Sequence, residues 1–226
     1  MITVLRPDVA VGIDRFGDWL GLETEVLDIY DGHPVPALEE CREGIILLGG
    51  RPNALDVERP WMRPLRQLLR DAVAADRPVL GICLGHQVLA HSLGGEVTVG
   101  HPTGGEHGPR RLSWTEEAAA DPLFSALAGL GDVTVAESHF DVVTRLPEGA
   151  VELASTEKYR NQAFRLGSAV GVQFHPEAPP ERMAQWATNR GQDSDAMLEQ
   201  MRAVDDEVAA TGERIARAFA AQVARH

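Results

Sequence analysis

The stretch Val79-Leu80-Gly81-Ile82-Cys83-Leu84-Gly85-His86-Gln87 joins an apolar run to a helix start through a cysteine. Val79, Leu80 and Ile82 read as a buried strand. Gly81-Ile82-Cys83-Leu84-Gly85 has the Gly-x-nucleophile-x-Gly pattern of a nucleophile elbow, with Cys in the Ser position. The turn from strand to helix in such an elbow is sharp, and small residues on either side let the backbone make it. The helix expected over Leu84 to Leu93, closed by Gly94-Gly95, points its free N–H groups and positive dipole end at the sulfur. That placement favours the reactive thiolate.

A second apolar strand, Val170-Gly171-Val172-Gln173-Phe174, runs into His175-Pro176-Glu177. A Cys nucleophile needs a base to take its proton and an acid to protonate a leaving amine, and one imidazole does both. The imidazole needs an acceptor on its far nitrogen to fix its tautomer, and Glu177 is the candidate. Cys83, His175 and Glu177 thus form a triad in which the acid comes last, whereas elbow hydrolases normally run nucleophile, acid, His.

These two motifs resemble the class I (triad) glutamine amidotransferases, and most closely stand-alone proteins similar to the amidotransferase domain of GMP synthase. The resemblance covers roughly residues 1 to 185. It implies an α/β three-layer sandwich of flavodoxin-like type, with a mostly parallel sheet and helices on both faces. It also implies that the Gly-Gly after an earlier strand and the residue after the Cys give N–H groups to an oxyanion hole; here these are Gly50 and Leu84. Gln87 is implied as a contact to bound glutamine. The segment Ser138-His139-Phe140-Asp141 stands where the family has a Ser-His-Gly-Asp-like stretch over the active site, so Ser138 and His139 are implied as substrate-binding residues. Two departures stand out: Arg51 precedes Pro52 where the family has Pro directly after the glycines, and Phe140 replaces a glycine.

At 226 residues the chain suits one α/β domain and leaves no room for a synthetase domain that would use released ammonia. We expect that domain over residues 1–185, with residues 186–226 as a helical extension packed on it. A formal charge of -13 argues against nucleic acid and anionic membrane surfaces as partners. No apolar run is long enough to span a bilayer, and the first residues lack the features of a signal peptide. Only Cys41 and Cys83 occur, too few for a disulfide framework, which points to the cytoplasm, where a thiol stays reduced.

Along the chain, Asp14 is placed to cap a helix over Arg15 to Leu22, and Leu65, Leu68, Leu69 and Val73 mark a helix within Pro60 to Asp76. Strands are expected over Ile2 to Leu5, Glu25 to Tyr30, Gly44 to Leu48, Arg110 to Trp114, Val133 to Glu137 and Gln162 to Leu166. The order of elements gives a parallel sheet between helices, with an antiparallel extension. His101, Glu106 and His107 fall in the glycine-rich segment 100–109, read as a mobile substrate-facing loop rather than a metal site. Residues 193–224 read as one long amphipathic helix.

No metal and no organic cofactor are expected. Three functions stay open. The first is a glutaminase-type amidotransferase supplying ammonia to a separate synthetase. The second is a free hydrolase of γ-glutamyl amides or peptides, and the third a non-catalytic regulatory member. The partners expected are a small-molecule substrate, a separate synthetase under the first reading, and a second copy if the last helix docks a homodimer.

Overall fold

The computed structural model describes all of residues 1–226. In chain order the strands are β1 (Ile2–Arg6), β2 (Thr24–Asp28), β3 (Gly44–Leu47), β4 (Val79–Ile82), β5 (Glu96–Thr98), β6 (Glu106–Trp114), β7 (Val133–His139), β8 (Val142–Arg145), β9 (Val151–Ser155), β10 (Ala163–Leu166) and β11 (Ala169–Val172). The helices are α1 (Phe16–Trp19), α2 (Met62–Ala74), α3 (Leu84–Ser92), α4 (Ser125–Ala128), α5 (Pro180–Asn189), α6 (Ser194–Ala203) and α7 (Asp205–Val223).

Nine strands form one mixed sheet in the order β2-β1-β3-β4-β11-β10-β9-β6-β7. The first five are parallel and the last four join antiparallel. β5 and β8 pair as a separate ribbon. The central strands are apolar on both faces because both faces are covered. Their residues alternate between two cores, as the period of two requires. Ile45, Leu47 and Val79 pack with Leu65, Leu69 and Val88 of α2 and α3. Ile46, Leu48 and Leu80 pack on the other side with Phe16, Met183, Ile215 and Phe219 of α1, α5 and α7. The result is the α/β three-layer sandwich. No helix is long and apolar enough to cross a membrane.

Three local expectations are corrected. Helix α1 is a single turn, and Asp14 does not cap it: the Asp14 backbone is left-handed at φ 43°, and its carboxylate takes a forked pair from Arg182 at 2.8 and 2.9 Å. A long-range charge partner outcompetes the local cap. Strand β6 starts at Glu106, four residues before the expected Arg110, because Glu106 accepts hydrogen bonds from Thr156 Oγ1 and Gln162 Nε2. The C-terminal pattern is two helices broken at Val204, whose φ of -123° is not helical. The break lets Asp205 fork onto Arg15 and lets Glu207 accept from the backbone N–H and hydroxyl of Thr134 on β7.

Helix α7 bears directly on the His175-Pro176-Glu177 turn. Gly212 lies mid-helix, where it costs about 1 kcal/mol relative to Ala, yet a Cβ there would come within 2.1 Å of the Pro176 carbonyl oxygen. Gly212→Ala is therefore expected to destabilise the protein by about 1–3 kcal/mol in urea denaturation, despite its better helix propensity. A stability gain would show that α7 does not press on that turn.

Candidate active site

The parallel strands β4 and β11 run in register, with Ile82 opposite Val172, so both end at the same edge of the sheet. The Cys83 N–H then donates to the Val172 carbonyl at 2.8 Å. Two residues beyond Gln173, the His175 N–H donates to Ala136 on β7 at 2.8 Å. Carboxyl ends of parallel strands are where ligands bind in open α/β sheets. Cys83 holds φ 52° and ψ -104°, a strained conformation for a residue with a side chain. The surrounding backbone enforces it: a Cβ on Gly85 would lie 2.1 Å from the Leu47 carbonyl oxygen, and one on Gly81 would meet the Gly85 carbonyl oxygen at 2.6 Å. Only glycines let β3, β4 and the first turn of α3 approach this closely.

His175 Nδ1 and Glu177 Oε1 are 2.8 Å apart, both in buried side chains. His175 Cε1 and Cys83 Cβ both lie against Gly49, within 2.9 and 3.4 Å of where its Cβ would be. Burial works against a charged imidazole, but the Glu177 carboxylate and the Cys83 sulfur outweigh it and hold His175 well above the usual imidazole range. Trp186 of α5 covers the ring at a centroid distance of 4.5 Å and donates its indole N–H to the Ala10 carbonyl.

A cavity of about 240 Å³ opens above the sulfur, lined among others by Gly50, Cys83, Gln87, Ser138, Phe140 and Arg190. Cys83, His175, Gly50, Gln87, Ser138 and His139 are thus gathered at one place, and Glu177 stands behind the imidazole. The Gly50 N–H has no backbone acceptor. Leu84 begins α3, where helix N–H groups have no partner within the helix. Gln87 Nε2 donates to the Asp141 carbonyl and to Gln173 Oε1. Phe140 stands half exposed at the rim, packed edge-on to His107.

Both nitrogens of the His139 ring lie against neighbouring oxygens. Its Nδ1 contacts the Asp141 carbonyl at 3.1 Å, and its Nε2 lies 3.5 Å from Glu106 and 3.4 Å from Glu137. These three residues form the one cluster that brings ligand atoms within 4.8 Å of one another, close enough to hold a metal ion. The set His101, Glu106 and His107 is not brought together: His101 bonds Thr103 and Tyr159 instead. Glu106 already accepts from Thr156 and Gln162. Burial, followed by the charge of Glu106, pushes the Glu137 carboxyl well above the usual carboxylate range. Neither Glu137 carboxyl oxygen has a hydrogen-bond partner, so nothing offsets its desolvation there.

Sequence reasoning passed over Asp8, Glu137, Trp186 and Arg190. Asp8 shapes the loop after Gly49-Gly50, accepting the Arg51 N–H and both arms of its guanidinium at 2.7–2.8 Å. Its position just past the carboxyl end of β1 was the available signal. Nothing local marked the other three.

With this geometry in view, the chain can be placed. Residues 15–190 match the family model described as "Glutamine amidotransferase class-I". The chain belongs to the class I glutamine amidotransferases. It is 34% identical over 160 residues to a glutamine-hydrolysing GMP synthase subunit from Archaeoglobus fulgidus, covering 70% of this chain and 77% of that protein. It is 36% identical over 135 residues to the GMP synthase of Thermomicrobium roseum, covering 60% of this chain and 23% of that enzyme. The matched segments thus span about half, or less, of the first curated relatives. A glutamine amidotransferase from Methylobacillus flagellatus superposes with a TM-score of 0.83 at 29% identity, covering 99% of this chain and 94% of that one.

Two expectations follow from the electrostatics. The charged form of His175 persists through neutral pH and is lost only as pH rises past its raised pKa, so its Hε1 resonance should remain imidazolium-like at pH 7. Glu177→Gln should move that midpoint to lower pH; an unchanged midpoint would remove Glu177 as the cause. Glu137 is neutral when folded, whereas the unfolded chain ionises it above the ordinary carboxylate range, so it makes stability fall as pH rises. Denaturant titrations of Glu137→Gln should lose about 1.4 kcal/mol less per pH unit than the parent between pH 5 and its folded pKa. Equal slopes would mean that Glu137 folds ionised.

Proposed function

We propose that the protein hydrolyses the side-chain amide of glutamine to glutamate and ammonia through Cys83, His175 and Glu177. The observation that carries this reading is the strained Cys83 at a strand end beside a His175 held by a buried carboxylate at 2.8 Å. The Cys83 thiolate attacks the amide carbon, and the C–O π pair moves onto oxygen. Gly50 and Leu84 N–H groups hold that oxyanion, an interaction worth about 3 kcal/mol per donor. As the oxyanion collapses, the C–N bond breaks and His175 gives its proton to the departing nitrogen, which leaves as ammonia. His175 then takes a proton from water, the hydroxide attacks the γ-glutamyl thioester, and glutamate leaves as the thiolate returns. Glu177 keeps the imidazole in one tautomer throughout.

The relatives named as separate GMP synthase subunits support a role in supplying ammonia to a synthetase on another chain. A second reading, hydrolysis of γ-glutamyl amides or peptides without a partner, is favoured by a cavity that reaches from Cys83 to Asn189 at the end of α5 and Arg190 just after it.

Cys83→Ala is expected to abolish ammonia release from L-glutamine, by about 10⁴-fold or more, with an unchanged unfolding midpoint. In the parent, acid quenching during turnover should trap a γ-glutamyl adduct on the peptide containing Cys83, seen by mass spectrometry. Full activity in Cys83→Ala would dispose of the mechanism. Dipeptide turnover well above that of glutamine would select the second reading.

A further inference from the structure

Two arginines line the cavity above Cys83, Arg51 and Arg190. Arg51 is committed to Asp8 through both of its arms. Arg190 has no carboxylate partner. Its Nη1 donates to Ser138 Oγ at 2.7 Å and its Nε to the Gln192 side-chain carbonyl at 3.0 Å; its Nη2 is closed off from solvent and bonds nothing. Four other partly buried arginines fork onto carboxylates, Arg6 on Asp28, Arg15 on Asp205, Arg165 on Asp121 and Arg182 on Asp14, whereas Arg66 and Arg77, away from the cavity, donate to backbone carbonyls. An arginine whose real partners are both neutral is costly in a half-buried wall. Burial accordingly pushes Arg190 below its ordinary value, opposed by the charge of Cys83.

The position is equally specific. Arg190 follows Trp186 by four residues at the end of α5, hence on the same face, and Trp186 covers the His175 ring. Ser138, which Arg190 holds, places its carbonyl oxygen 3.9 Å from the Cys83 sulfur. The guanidinium is therefore one side chain removed from both reacting groups, beside the space a substrate must fill. The fork of an arginine matches a carboxylate more closely than any other anion of an amino-acid substrate.

We propose that Arg190, assisted by the Ser138 hydroxyl, binds a carboxylate of the substrate and so sets the protein's preference for amino-acid amides. This rests on the glutamyl-hydrolase reading of the same cavity. Two sources share the chemistry: the α-carboxylate of the glutamyl half, and a carboxylate on the leaving half of a γ-glutamyl peptide.

The test uses the full chain carrying Cys83→Ala for binding, and the Cys83 enzyme for turnover, each with Arg190, Arg190→Lys or Arg190→Ala. Probes are L-glutamine, 4-aminobutyramide (glutamine without its α-carboxylate), γ-glutamylglycine and γ-glutamylmethylamide. If the α-carboxylate is read, Arg190→Ala weakens calorimetric binding of all three glutamyl probes about 10- to 100-fold and leaves 4-aminobutyramide unaffected. KM should rise with little change in kcat, and Lys should fall between the two. If the distal carboxylate is read, γ-glutamylglycine alone loses affinity. Equal losses on every probe, with a shifted pH dependence of Cys83 alkylation, would overturn the proposal and make Arg190 a partner of the thiolate. Unchanged binding, or a parent that binds no carboxylate probe, overturns it as well. The hydrolase reading fails separately, when the Cys83 enzyme binds L-glutamine yet releases no ammonia.

Discussion

A buried imidazole held at 2.8 Å by one buried carboxylate is the constraint around which this molecule is arranged. Glu177 is wholly buried and His175 nearly so, and a polar pair so placed survives only with good geometry and a tight surround. The surround is visible in the packing. Trp186 closes over the ring, the Arg15 N–H holds the Glu177 carbonyl, and Gly212 brings α7 against Pro176. Helices α5 and α7 and the loop before α1 thus share one task, which is to hold the two-residue step between His175 and Glu177.

The elbow opposes this with strain of its own. Cys83 is kept in an unfavourable conformation because β3, β4 and the start of α3 press together through glycines, and the cost is spread over a core that no single contact dominates. Strain at the sulfur and charge at the imidazole are then both properties of the sheet edge where β4 and β11 end. The proposed chemistry needs no moving part beyond a substrate filling the cavity.

Around that centre lies a ring of polar groups whose partners come from far along the chain. Asp8 shapes the loop that bears Gly50, Glu137 and Glu106 flank the His139 ring, and Arg190 reaches Ser138 from the C-terminal cap of α5. His139 illustrates the division. Its type and place in the sequence suggested a ligand contact; it lines the cavity, and its ring Nε2 also lies 3.5 Å from Glu106 and 3.4 Å from Glu137.

The layered α/β arrangement, the family and the pairing of an elbow with a His-Pro-Glu turn were all legible in the amino-acid sequence. These depend on local patterns: alternating or continuous apolar runs, glycines at a tight bend, and chemistry carried within a few consecutive residues. Folding in three dimensions settled the rest: Asp14 serves Arg182 instead of a helix, the last amphipathic run breaks at Val204, and β6 begins at Glu106. It also left Arg190, at the cavity wall, without a carboxylate. Charge partners form between residues up to 190 positions apart, as Arg15 and Asp205 do. Their pairing is fixed by packing of elements that are distant in sequence, and no local pattern encodes it.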